Sequence, residues 1–246
     1  MQIVEYPTWF ALAITVLAGS LALELARMAL RHMPEDWKLP TGQQLAERLV
    51  QVLDLGKQVS RIGEAADRAP SLLSGRIRLV TFSPIGSRYR RGKRVVELAP
   101  PVFQRRSVNA VAVAAHEIGH ARQPGEVWEL KRQHFWGLMV WLGGLLAFVA
   151  SPRLAEVPIL SWLAWGGAVL MASTSVLYEA DASRRGLASL KQLAVLPSHQ
   201  QRLASLVLAF IVVGYCWYGF AAIALTAVVP FGPPLVEFLS NVPGWR

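Results

Sequence analysis

The chain has 246 residues, of which 53% are hydrophobic and 17% charged, and a formal net charge of +9. Soluble domains carry about 25% charged residues, so this composition excludes an ordinary soluble globule and, more firmly, a disordered chain. The single cysteine, Cys216, excludes a disulfide framework and a Cys-rich zinc ribbon; in its apolar run it reads as a small buried hydrophobe.

Four apolar runs approach or exceed the roughly 20 residues that cross a bilayer. They are Pro7 to Leu23 (extending to Leu30 if the Glu24/Arg27 pair is tolerated), Phe135 to Pro152, Val157 to Tyr178, and Leu203 to Val229. Trp9, Trp136, Trp162 and Trp245 lie near run ends, where interfacial aromatics sit. The first run is preceded by Glu5 and by no Lys or Arg, which argues against a signal peptide. Its positive charges, Arg27, Arg31 and Lys38, come after it and predict an N-terminus outside the cell. Residues 31–134 hold most of the Lys and Arg, and residues 179–202 hold Arg184, Arg185, Lys191 and Arg202. The turn between the second and third runs has only Arg153, and the tail only Arg246. The charge bias therefore predicts that both basic segments face the cytoplasm and both termini face out. The expected layout is a first span over 1–30, a cytoplasmic domain over 31–134, a transmembrane hairpin over 135–178, a cytoplasmic segment over 179–202, and a fourth span with an outer tail over 203–246.

Within the first basic segment, Leu45, Leu49, Val52 and Leu53 predict a helix over Thr41 to Leu55, stopped at Gly56. Ile77 to Phe82 and Arg94 to Leu98 read as strands, joined by a loop ending in Arg88, Arg90, Arg91 and Lys93. Ser107 is a suitable N-cap for a helix over Val108 to Arg122. The Arg/Lys cluster around Tyr89 has the look of a nucleic-acid patch. The preferred reading is a basic surface near anionic headgroups, each charge worth about 1 kcal/mol, with no nucleic-acid partner.

The Val108–Arg122 helix contains His116-Glu117-Ile118-Gly119-His120. Histidines four apart project from one helix face and can bind one zinc ion. Zinc lowers the pKa of water to about 7, and Glu117, beside the histidines, is placed to take its proton. A catalytic zinc site needs a third protein ligand, for which Glu126, His134 and Glu179 are the candidates. Glu179 is the strongest, because it ends the third apolar run on the same side of the membrane as the motif.

The stretch Ala110-Val-Ala-Val-Ala-Ala-His-Glu-Ile-Gly-His-Ala-Arg-Gln123, followed by Glu179-Ala-Asp-Ala-Ser-Arg-Arg185, resembles the neutral zinc membrane metallopeptidase family. The resemblance extends from about Thr41 to Arg202. It implies a gluzincin, with His116 and His120 as zinc ligands, Glu117 as catalytic base and Glu179 as third ligand. The layout is also similar to that of other HExxH membrane proteases, in which an aspartate four residues after the glutamate ligand supports a histidine. Here that position is Ser183 and the aspartate is Asp181, two residues on and so on the opposite face of a helix. A local departure from plain helix is therefore expected, and Asp181 stays open as an alternative ligand. Asn109 is a further candidate for supporting a histidine. Arg184 and Arg185 could stabilise an oxyanion or hold a substrate carboxylate, but the preferred reading is topology-setting charge. Ala180 stands for the family's usual Phe and Gly186 for its usual Ala, departures not expected to remove metal chemistry. Pro124-Gly125 is expected to shape the cleft.

The sequence thus predicts a mainly α, polytopic membrane protein with about four transmembrane helices and a small α+β cytoplasmic zincin-like domain. Its expected function is a Zn2+-dependent endopeptidase of the cell membrane. Its expected partners are a protein or peptide substrate, held by strand addition to the strand pair, and a lipid bilayer with anionic headgroups. The alternative is a scaffold or binding subunit of a membrane complex with a structural zinc, which an intact Glu117 argues against. An intramembrane site is implausible, because Val108 to Ala115 is short and flanked by Arg106 and Arg122.

Overall fold

The computed structural model describes residues 6–52, 87–91, 95–150 and 158–228. These are mainly helical: α1 (Tyr6–Arg31), α2 (Gly42–Val52), a two-stranded sheet of β1 (Arg88–Arg90) and β2 (Val95–Glu97), α3 (Pro100–Gln104), α4 (Val108–Ala121), α5 (Gly125–Ala150), α6 (Pro158–Gln192) and α7 (Ser198–Val228). The chain divides into two compact units. The first comprises Met1–Ala26, Gly125–Tyr178 and Val213–Arg246; the second comprises Arg27–Pro124 and Glu179–Val212.

The first unit holds only parts of the long apolar helices α1, α6 and α7. Three helical segments among the described residues are long and apolar enough to cross a membrane: Ala11–Arg31, Ile159–Gln192 and Ser198–Thr226. The run Phe135 to Pro152 lies in α5 as far as Ala150, and its end lies outside the described residues. Large apolar side chains face outward on these helices, among them Leu17, Leu146 and Trp162, as they do where lipid replaces water. Cys216 is exposed on α7, not buried as its apolar neighbours suggested; in such a helix apolar residues cover the outer face too.

Small residues and sparse hydrogen bonds join the helices of this unit. A Cβ on Gly137 would lie 2.7 Å from the Met171 nitrogen, and one on Gly167 would lie 2.7 Å from the Trp141 nitrogen. The α5 and α6 backbones therefore touch. His134, a candidate ligand by sequence, spends Nδ1 on the Met171 carbonyl at 3.1 Å. Trp217 Nε1 donates to Ser20 Oγ at 3.0 Å, and Trp141 Nε1 donates to Thr226 Oγ1 at 2.7 Å.

The second unit has a core in the ordinary sense. Leu45 and Leu49 of α2, Val96 and Leu98 at β2, Val111 and Ile118 of α4, and Leu190 of α6 are fully buried. Helix α4 is buried over most of its length, which its run of Ala and Val permits. Ser107 Oγ accepts the Ala110 N–H at 3.2 Å, capping it as the sequence predicts. Helix α2 starts in a reciprocal cap: Gln44 N–H donates to Thr41 Oγ1 at 3.1 Å, and Thr41 N–H donates to Gln44 Oε1 at 3.0 Å. The link from α1 to α2 is pinned to the start of α4 by Arg106, whose Nη1 donates to the Trp37 carbonyl at 3.0 Å.

The sheet corrects the sequence reading in part. The predicted strand Ile77 to Phe82 lies outside the described residues. The second predicted strand contains β2, but its antiparallel partner is Arg88–Arg90, read above as loop. The arginine run hid the strand. Arg88 and Arg90 share a face through the two-residue strand period, and both reach Glu97, Arg88 Nε at 2.6 Å and Arg90 Nε at 2.8 Å. Burial pushes the Glu97 carboxyl up, but the Arg88 hydrogen bond and both positive charges outweigh it and hold it below the usual carboxylate range. A carboxyl lowered on folding contributes stability above its unfolded pKa, and the contribution fades as pH falls through the folded one. Glu97→Gln is expected to lower stability at pH 7 by about 1 kcal/mol, since both arginines are partly solvated. The gap to wild type in thermal melts is expected to close as pH drops below about 4; a constant gap would deny the pair this role.

Candidate metal centre

The second unit's α4, with His116, Glu117 and His120, and its portion of α6 from Glu179 on, with Glu179 and Ser183, build the site. They meet at close quarters because Gly119 and Gly186 carry no side chain. A Cβ on Gly119 would lie 2.1 Å from the Ala182 carbonyl oxygen, and one on Gly186 would lie 2.7 Å from the Ala115 carbonyl oxygen. Gly186 is thus required at this separation. Gly119→Ala is expected to push the helices apart, costing about 1–3 kcal/mol and weakening metal binding. Gly125, whose Cβ would meet nothing within 4 Å, supplies the control: Gly125→Ala should leave both melting temperature and metal affinity unchanged.

At this crossing, ligand atoms of His116, His120 and Glu179 all lie within 4.8 Å of one another, and all three residues are buried. His116 Nε2 is 3.0 Å and His120 Nε2 is 3.4 Å from the same oxygen, Glu179 Oε2. Two donors each about 2.0–2.1 Å from a tetrahedral zinc lie about 3.3 Å apart, so the separations fit that ion. The donor set, two imidazoles and one carboxylate, also suits zinc. The far side of each ring is held as well. His116 Nδ1 is 3.1 Å from Ser183 Oγ, and His120 Nδ1 is 2.9 Å from Gln123 Oε1.

Glu117 stands beside this cluster. Its carboxyl takes the backbone N–H of Tyr89 in β1, and burial raises its pKa above the usual range. Its Oε2 is buried with no hydrogen-bond partner. Such an oxygen costs free energy, and in a cleft it is a sign of function.

The other residues raised from the sequence fall elsewhere. Helix α6 is continuous through Glu179, so the expected departure from plain helix is absent and Asp181 lies off the ligand face. Its carboxylate accepts from Arg184 Nη2 at 2.8 Å and Arg185 Nε at 2.7 Å. Asp181 is thus paired with both arginines and is not among the grouped donors His116, His120 and Glu179. Glu126 is exposed in the first turn of α5. Asn109 is half-buried in the first turn of α4, and it is Ser183 that reaches His116 Nδ1. Sequence reasoning missed Gln123 as a support for His120, although its i+3 spacing was a usable signal, and noted Ser183 only as a missing aspartate.

Fold and site together define a mainly helical protein with three described helices long and apolar enough to cross a membrane and a buried His–His–Glu group suited to zinc. The family described as "Putative neutral zinc metallopeptidase" matches residues 76–230, a stretch that takes in His116, Glu117, His120 and Glu179. The chain belongs to this family. No curated protein and no solved structure matches it.

Proposed function

We propose that the chain is a membrane-embedded zinc endopeptidase that cuts membrane or membrane-proximal proteins on the cytoplasmic side. The observation that carries this is the convergence of His116 Nε2, His120 Nε2 and Glu179 Oε2 beside the unpartnered Glu117 Oε2. Zinc, when bound, supplies Lewis acidity that acidifies water and polarises a carbonyl. Glu117 takes the proton of the attacking water on Oε2. The same carboxyl then returns that proton to the leaving amine, the double duty of a general base and acid. The Tyr89 N–H holds the Glu117 carboxyl in place. It also sets β1, which among the described residues pairs with β2 alone, beside the base, which supports a substrate peptide adding to the strand pair. Proline substitutions in β1 and β2 are expected to lower kcat/KM on a peptide substrate; unchanged cleavage in both would remove strand addition from the account.

The sidedness rests on the charge bias. Residues 31–134 and 179–202 carry most of the Lys and Arg and the whole donor set, and lie on the cytoplasmic side under the positive-inside rule. The domain layout over 1–30, 31–134, 135–178, 179–202 and 203–246 follows, with four spans and anionic headgroups against the basic surface. The experiment is cleavage of unfolded protein substrates by detergent-purified protein. Activity should vanish with a chelator and return with zinc. Chelator-resistant cleavage, or none from the zinc-loaded protein, would contradict the assignment.

A further inference from the structure

We infer that Ser183 and Gln123 are positioning residues for the metal centre. Each holds the Nδ1–H of one histidine on an uncharged oxygen, so that both rings present Nε2 to the ion. The inference rests on the zinc-site reading above and adds what orients the ligands.

For His116 the hydrogen-bond count fixes the roles. Ser183 Oγ lies 3.1 Å from His116 Nδ1 and 3.4 Å from the Leu208 carbonyl oxygen of α7. A carbonyl only accepts, so the single hydroxyl proton goes to Leu208. The Oγ lone pairs are then left for the His116 Nδ1–H, and the Nε2 lone pair faces Glu179. Ser183 can do this because it is four residues after Glu179 on one continuous helix. One face of α6 therefore supplies both a ligand and the support for another ligand. The chain Leu208–Ser183–His116 joins α7, α6 and α4.

For His120 the support comes from its own helix end. Gln123 is three residues on, and its Oε1 lies 2.9 Å from His120 Nδ1. Ser183, Gln123 and both histidines are buried (7%, 7%, 4% and 6% exposed), so water competes little for these bonds. Asp181 is paired with Arg184 and Arg185. Both supports are thus neutral. A carboxylate partner makes an imidazole a stronger donor; neutral partners fix tautomer and direction and leave the ion the stronger Lewis acid.

The test is zinc affinity by chelator competition on purified full-length protein, with the Co2+-substituted absorption spectrum as a second readout. Ser183→Ala and Gln123→Met are each expected to weaken zinc binding about 10–100-fold and to shift the Co2+ visible bands. Gln123→Glu is expected to tighten zinc. Wild-type affinity and an unchanged Co2+ spectrum in both neutral variants would overturn the inference. Should Ser183→Ala fail to fold, Gln123→Met and Gln123→Glu decide it. Failure of the wild-type protein to bind zinc would instead remove the site reading on which the inference rests.

Discussion

Glu117→Gln is expected to keep zinc at one ion per chain while lowering kcat by about 10³-fold. The amide has the shape of the carboxyl but cannot accept a proton, and Glu117 is not in the donor group formed by His116, His120 and Glu179. The same change should leave melting temperature equal or higher. Glu117 Oε2 is buried without a partner, and the desolvation cost of that carboxylate disappears in the amide. Lost turnover combined with kept zinc and undiminished stability is the signature of a group retained for chemistry at the expense of the fold. Metal analysis, single-substrate kinetics and a thermal melt on one preparation check all three. Normal cleavage by this variant would show that the base lies elsewhere, and lost zinc would show that Glu117 belongs among the ligands.

Glu179→Ala is expected to abolish stoichiometric zinc, and cleavage with it. Glu179 Oε2 is the shared point of both imidazoles, 3.0 Å from one and 3.4 Å from the other. Without it two histidines on one helix remain, a weak site. Two companion variants give the contrast. Asp181→Ala releases the exposed Arg184 and the half-buried Arg185, each one helical turn away, and removes no member of the donor group. Glu126→Ala removes an exposed helix-start charge. Both should keep full zinc. Retained zinc in Glu179→Ala, or its loss in either companion, would reassign the third ligand.

The half of the site on α4 was legible in the sequence because its information is local. A cap at Ser107 and two histidines one turn apart need nothing beyond helical geometry. Glu179 could be reached only by adding the charge bias, which predicts it on the same side of a membrane as the histidines, and the family resemblance. Other features depend on distances that spacing does not encode. Gly119 and Gly186 matter because two backbones approach until no Cβ fits between them. Strand β1 was hidden because Arg88-Tyr-Arg90 reads as a charge run, and it becomes a strand through a partner, Glu97, on the neighbouring strand. Ser183 stood at the right spacing and was passed over. The expectation was a carboxylate, whereas the imidazole needs only an acceptor. The Thr41–Gln44 capping box was readable from four consecutive residues and would have set the start of α2 at Gly42. Cys216 shows the reverse error, a soluble-protein rule applied on a span whose outer face is itself apolar.

The central claim is that His116, His120 and Glu179 hold one zinc ion. Anomalous diffraction at the zinc edge, on crystals of the detergent-solubilised protein grown without chelator, tests it most directly. One peak per chain within about 2.2 Å of His116 Nε2, His120 Nε2 and a Glu179 carboxylate oxygen is the expected result. A peak on Asp181 or Glu126, or a zinc-loaded crystal with no peak between α4 and α6, would contradict the account.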